Sequence, residues 1–127
     1  MREIKFRAFY PRDKMMYFVK GINWQTNTIR LHVDRNPRFE ECHLMQYTGL
    51  KDKSGKEIYE GDVITDNSGR IWEIKWRESP VGFGLFILNE KKKGFDGRIG
   101  RFTTSMMDYQ MADMEVIGNI YENSSLL

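Results

Sequence analysis

Short stretches of alternating apolar and polar residues, separated by turn residues, constrain the fold of this chain more than any other feature. Ile4 and Phe6 alternate with charged residues near the start of the chain, and Trp72, Ile74 and Trp76 alternate in the same way in its second half. A period of two places successive side chains on opposite faces of a β-strand. The pattern therefore predicts a mostly β protein with minor α content.

The alternation and the turn residues together predict where the strands lie. They are expected at residues 3–9, 15–19, 28–33, 39–47, 62–65, 71–77, 83–88, 98–103 and 115–121. Pro11 fixes the backbone of the first turn, and Gly69 provides a residue that adopts positive φ in a later one. Residues 21–27 are predicted to form a loop in which Ile22 and Trp24 point inward.

A polar loop at residues 51–56 separates two differently ordered parts of the chain. Residues 1–50 are predicted to form an N-terminal β-rich subdomain, and residues 51–127 a C-terminal one that shares its core. The second part has four strands, a helical turn from Thr104 or Ser105 through Met111, and a closing strand. That order is typical of an SH3-like β-barrel, whose closure leaves few exposed strand edges.

Composition narrows the setting of the protein. The net charge of +2 over 127 residues is small for a strong polyanion binder. Cys42 is the single cysteine, so an internal disulfide is excluded and a reducing, cytoplasmic setting fits best. No apolar run approaches the roughly 20 residues that span a bilayer, so no membrane association is expected.

A basic stretch is the strongest partner signal in the sequence. Its members are Lys91, Lys92 and Lys93, with Arg98, Arg101 and Phe95 nearby. Basic residues interleaved with aromatic ones follow a phosphate backbone and stack bases, so the stretch favours a nucleic-acid partner. The alternative is an ordinary solvated loop. Methionine pairs such as Met15-Met16 instead favour a protein partner or a homo-oligomer.

The residues that carry chemistry do not assemble into a recognisable catalytic set. Glu57, Glu60 and Asp62 lie among lysines, which indicates a charge-balanced loop rather than an acid–base pair. Cys42 and His43 are neighbours on a predicted strand, so their side chains point to opposite faces, with a buried thiol and a surface imidazole. No phosphate loop or dinucleotide fingerprint is present. We therefore expect no enzyme activity, cofactor or metal.

The central run MQYTGLKDKSGKEIYEGDVI, residues 45–64, resembles the signature of the YopX-like family of phage and prophage proteins. Residues 2–8 and 115–123 resemble that family's opening and closing segments, so the likeness covers nearly the whole chain. The family usually ends in Pro-Glu-Leu-Leu, where this chain has residues 124–127, Ser-Ser-Leu-Leu. The signature residues singled out as candidates are Tyr47, Thr48, Gly49, Tyr59, Glu60, Gly61 and Asp62.

We interpret the signature residues mainly as residues that determine the fold. The alternative is that they form a ligand-binding surface. Gly61 permits a close backbone path into the next strand, and Asp62 is expected to accept hydrogen bonds from backbone N–H groups of the turn. The resemblance implies a phage- or prophage-encoded protein of the bacterial host cytoplasm with an SH3-type C-terminal part. The resemblance does not imply any particular activity, because none is assigned to the family.

The leading hypothesis is a non-catalytic accessory binding module for nucleic acid or for a host or phage protein. A counter-defence protein that sequesters a small nucleotide signal is one alternative. A small enzyme that uses carboxylates near Glu60 and Asp62 is another. The enzyme alternative requires a perturbed carboxylate close to those two residues.

Overall fold

The alternating pattern folds as the sequence predicts, into a mostly β protein. The computed structural model describes residues 3–66, 69–78, 81–89, 102–105 and 113–123. Within these ranges the strands form two antiparallel sheets, joined by turns and by one short 3₁₀ turn. The chain divides into two compact units, Met1–Tyr47 and Thr48–Leu127.

The strands follow one another along the chain with short connections. They are β1 (Phe6–Tyr10), β2 (Met15–Asn23), β3 (Thr28–Leu31), β4 (His43–Lys51), β5 (Glu57–Tyr59), β6 (Asp62–Thr65), β7 (Ile71–Glu78), β8 (Val81–Asn89), β9 (Phe102–Ser105) and β10 (Glu115–Asn119). The 3₁₀ turn, Phe39–Glu41, precedes β4.

The first sheet has the strand order β3-β2-β1-β4-β5. Ala8 of β1 lies between Tyr17 of β2 and Leu44 of β4, which fixes the register of the three strands. Alternate residues of the sheet face a core that belongs to the first unit. Its buried members are Ala8, Tyr10, Ile29, Leu31 and Cys42. The strand β4 begins in the first unit and ends in the second.

The second sheet has the strand order β10-β6-β7-β8-β9 and lies in the second unit. Trp72 and Ile74 of β7 share one face and pack with the other members of that unit's core. Those members are Ile58, Ile64, Leu85, Met114 and Val116. The sheet is open among the described residues, since β9 and β10 are its two ends. The closed barrel predicted from the strand order is therefore not seen there.

Two of the predicted local elements were wrong, and one strand was missed. Residues 39–47 are not one strand, because the Glu41 carboxylate accepts the N–H of Arg38 at 3.0 Å and bends the chain into the 3₁₀ turn. The loop predicted at residues 21–27 begins later, since β2 continues to Asn23. The short strand β5 was not predicted at all. The helical turn expected up to Met111 lies mostly outside the described residues.

In the part of the chain that the structure describes, no helix has the length and hydropathy that crossing a bilayer requires.

Candidate binding cleft on the β2–β3 hairpin

An open cleft of about 530 Å³ lies in the first unit, on the hairpin formed by β2 and β3. Its size falls within the range of about 300–1,000 Å³ that is usual for small-ligand sites. Gly21 forms part of the wall of the cleft. The cleft is also lined by the side chains of Asn23, Trp24, Gln25, Arg30 and Asn36. The cleft therefore combines an aromatic ring, a cation and three amides.

The turn of the hairpin positions the aromatic ring. Asn23, the last residue of β2, pairs with Thr28, the first residue of β3. The Asn23 side-chain oxygen accepts the N–H groups of Gln25 at 2.9 Å and Thr26 at 3.1 Å, which closes the turn locally. Asn27 adopts a positive φ of 55°, a conformation that asparagine tolerates better than most residues. Trp24 is thereby held at the tip of the hairpin, outside the paired region.

Trp24 points outward, so the prediction that it tucks into the protein was wrong. Its side chain is 72% exposed. Phe39 meets it edge to face, with ring centroids 5.4 Å apart and the planes at 79°. A side chain with this exposure keeps at least one indole face open to solvent. The contact with Phe39 therefore limits the ring's motion without covering it.

A β-bulge places Arg30 across the wall of the cleft. The register of β2 against β3 shifts between Val19 and Gly21, so that Gly21 pairs with Arg30. A methyl group at Gly21 would lie 3.6 Å from Nη2 of Arg30 and 3.8 Å from its Nε. The guanidinium thus lies over the glycine, where the absence of a side chain leaves room for it.

Arg30 differs from the next two arginines along the chain in its ion pairing. Arg35 Nη1 is 3.0 Å from a carboxylate oxygen of Asp13, and Arg38 Nη1 is 4.0 Å from one of Glu40. Among the described residues, no carboxylate forms an ion pair with Arg30. The cleft therefore carries a local positive charge beside an exposed aromatic ring.

The structure places the central signature residues within strands and turns. Gly49 and Gly61 adopt φ values of +87° and +86°, which side chains disfavour. The Thr48 hydroxyl donates to the carbonyl of Ile58 at 2.7 Å. Asp62 is 1% exposed and accepts the N–H of Tyr59 at 2.8 Å, which confirms the predicted backbone contact. Tyr47 is also buried, at the end of the first unit.

A carboxylate with a perturbed pKa does lie near the signature. Burial raises the pKa of Glu73, and the negative charge of Glu60 raises it further against the opposing effect of Lys75. Burial also raises the pKa of Tyr121, as do the charges of Glu60 and Glu73. Glu60, Glu73 and Tyr121 are therefore electrostatic neighbours, whereas Asp62 is engaged by the backbone.

The cysteine and the histidine have the predicted exposures, although Cys42 follows the 3₁₀ turn and only His43 lies in a strand, β4. Cys42 is buried and His43 is exposed, which confirms the expected opposite orientation. Burial, followed by the negative charge of Glu41, raises the pKa of the Cys42 thiol, and this disfavours the reactive thiolate. In the described ranges, no three histidine, cysteine or acidic side chains are grouped so that they could hold a metal ion.

The basic stretch lies outside the described residues, and so does its aromatic neighbour. The residues concerned are Lys91, Lys92, Lys93, Phe95, Arg98 and Arg101. The nucleic-acid surface predicted there stays a prediction. Sequence reasoning missed the cleft residues Trp24 and Arg30, although an aromatic residue in a polar turn was a visible signal for Trp24.

The two antiparallel sheets define an all-β protein whose candidate ligand site lies on a hairpin. The sequence pattern of the YopX protein family matches residues 5–127. This chain belongs to the YopX family. No curated protein matches the chain.

A solved structure shares the fold along the full length of the chain. It is the crystal structure of protein EF1440 from Enterococcus faecalis, with a TM-score of 0.57 and 24% sequence identity. The similarity covers 100% of this chain and 99% of that one. At this identity the likeness concerns the fold alone.

Proposed function

We propose that this protein is a non-catalytic accessory binding module, encoded by a phage or prophage, that binds nucleic acid in the bacterial cytoplasm. The observation that carries the proposal is the hairpin cleft, which is lined by both the exposed indole of Trp24 and the Arg30 guanidinium. Nucleic-acid-binding proteins combine such cations, which attract phosphate, with aromatic rings, which stack bases. Membership of the YopX family supports the phage setting.

The organisation of the chain is compatible with a binding role. The second sheet pairs its last strand, β10, with its first, β6, and this order supports a relation to SH3-type barrels. Small β scaffolds of this kind hold loops and hairpins on a rigid frame and present them to ligands. The first unit has its own core beneath the hairpin, so the cleft residues project from packed strands.

The neighbouring carboxyl groups of Glu60 and Glu73 are the feature on which the enzyme alternative depends. A raised carboxyl pKa is a feature of general acids, but it arises equally in buried structural groups. Tyr59 and Asp62, which flank Glu60, are buried and joined by a 2.8 Å hydrogen bond. We therefore assign Glu73 a structural role.

Binding of the purified full-length chain to labelled single- and double-stranded DNA and RNA tests the proposal. We expect binding at low salt that weakens at moderate salt, because phosphate contacts release counterions. Arg30→Glu is expected to weaken binding, whereas Arg12→Glu is the matched control, since Arg12 is exposed in the turn that precedes β2, whereas the cleft lies where β2 ends. A Lys91→Glu/Lys92→Glu/Lys93→Glu variant tests the basic stretch separately.

The outcomes separate the partner classes. If the wild-type chain binds neither DNA nor RNA at any salt concentration, the nucleic-acid function is wrong. Capture of host or phage proteins would then test the protein-binding version, and sedimentation would test self-association. Calorimetry with a panel of cyclic nucleotides would test sequestration of a small nucleotide signal.

A further inference from the structure

The open indole face of Trp24 offers a stacking surface for a planar ring. Every nucleobase has such a face, and stacking on a protein aromatic residue tolerates different bases. Within a duplex, however, each base face is already covered by its neighbours. A tryptophan at a hairpin tip therefore suits an unpaired base.

The Arg30 guanidinium supplies a complementary contact for an anion. It lies over Gly21, and no described carboxylate neutralises it, unlike Arg35 with Asp13. A guanidinium binds phosphate oxygens with two parallel hydrogen bonds. Because the indole and the guanidinium border the same cleft, one ligand that has both a ring and a phosphate satisfies them together.

The amides of the cleft add hydrogen-bonding groups suited to the edge of a base. The Asn23 side-chain oxygen is used by the turn, so its Nδ2 group is left to donate. Gln25 and Asn36 border the same cleft, and each offers one acceptor and two donors. Amides of this kind pair with the exposed edges of unstacked bases.

We infer that the hairpin cleft binds one unpaired nucleotide of a single strand, with its base on Trp24 and its phosphate at Arg30. The inference rests on the proposed function and names the form of nucleic acid that the cleft selects. It predicts discrimination between single strands and duplexes. It also predicts that both the base and the phosphate are required.

Fluorescence anisotropy with three labelled DNAs of equal length tests the inference on the full-length protein. The probes are an oligothymidine strand, a blunt duplex and a strand with an abasic tract. We expect the wild-type chain to bind the oligothymidine about 10-fold more tightly than either other probe, since one stacked base contributes an effect of that order. Trp24→Ala should remove most of this preference, and Trp24→Phe should retain much of it.

Two further variants isolate the role of the cleft. Phe18→Ala removes another exposed aromatic side chain of β2, one that contacts His32 outside the cleft, and should leave the preference intact. Gly21→Leu should displace the guanidinium and weaken binding. Melting temperatures show whether each variant remains folded.

The possible results distinguish this inference from the general function. Equal binding of single strand and duplex, unaffected by Trp24→Ala, would overturn the inference and leave nucleic-acid binding in place. Equal binding of the abasic strand would overturn it in the same way. If none of the three DNAs binds, the inference is overturned, and the nucleic-acid function is refuted as well when RNA also fails to bind at any salt concentration.

Discussion

Asp52 is the residue that organises the loop at the centre of the family signature. One oxygen of its carboxylate accepts the N–H groups of Ser54 and Lys56, each at 2.9 Å. The other oxygen accepts the N–H of Val116 at 2.9 Å, so the loop is fastened to β10. Asp52 is 6% exposed, and three satisfied amides depend on it. Its place in the signature therefore has a structural reason that needs no ligand.

Asp52→Asn is expected to lower the free energy of unfolding by about 2–4 kcal/mol, because charge-assisted bonds are lost and a buried amide loses its acceptor. Burial alone would raise the pKa of Asp52, but the amides of Val116, Lys56 and Ser54 and the charge of Lys56 lower it overall. The carboxylate therefore adds stability above the ordinary aspartate pKa, and this contribution is lost as the pH falls through the lowered value.

Urea unfolding of wild type and Asp52→Asn at several pH values measures this effect. The difference between them should be full at pH 7 and shrink in strong acid. Asp34→Asn is the control, since Asp34 is exposed in the first unit. A difference that stays constant down to strongly acidic pH would contradict the role given to the carboxylate charge.

The contribution of Glu73 to folding stability depends on pH in the opposite direction to that of Asp52. The pKa of Glu73 is raised, mainly by burial, so the folded state favours the protonated form. The stability that this contributes is complete below the ordinary glutamate pKa and is lost as the pH rises through the raised one. Glu73→Gln should therefore increase the melting temperature at pH 7 and have little effect at strongly acidic pH. Asp113→Asn, an exposed substitution in the same unit, is the control.

The Glu73 variant also separates a structural carboxyl from a functional one. If Glu73→Gln stabilises the fold and leaves nucleic-acid binding unchanged, the group is structural. A lower melting temperature at pH 7 would show that the ionised form is stabilised instead. That result would reopen the enzyme alternative built around Glu60.

At the scale of the elements, the sequence predicts best where a short apolar run or a period of two is bounded by clear turns. The strand expected at residues 62–65 coincides with β6, and the expected strand at 71–77 differs from β7 by one residue. Both contain fully buried apolar side chains, such as Ile64 and Ile74. β5 has three residues, which is too short for any periodicity to be read.

The hairpin cleft escaped prediction because nonlocal contacts build it. The segment after β3 returns along that strand, with hydrogen bonds from Ile29 N–H to Pro37 at 2.8 Å and from Phe39 N–H to Asn27 at 2.9 Å. This return places Phe39 beside Trp24. The register shift that brings Gly21 opposite Arg30 is likewise set by strand pairing. None of these contacts has a signature within a few neighbouring residues.

At the scale of the whole molecule, the small net charge of +2 makes a general attraction to nucleic acid weak. Affinity must then come from a few defined contacts. The cleft offers one guanidinium for one phosphate, whereas the basic stretch at residues 91–93 offers three further charges. Stacking by Trp24 carries no charge. The two kinds of contribution therefore differ in how they respond to salt.

The salt dependence of binding to a single strand should separate these contributions. Each phosphate contact adds about −0.7 to the slope of the logarithm of the binding constant against the logarithm of salt concentration. We expect Arg30→Gln to make the slope shallower by about that amount. Trp24→Ala should lower affinity at every salt concentration with the slope unchanged, because stacking releases no counterions. Lys91→Glu/Lys92→Glu/Lys93→Glu should flatten the slope while preserving the preference for single strands. A flattened slope in Trp24→Ala would contradict the assignment of stacking to the indole and of phosphate binding to the cations.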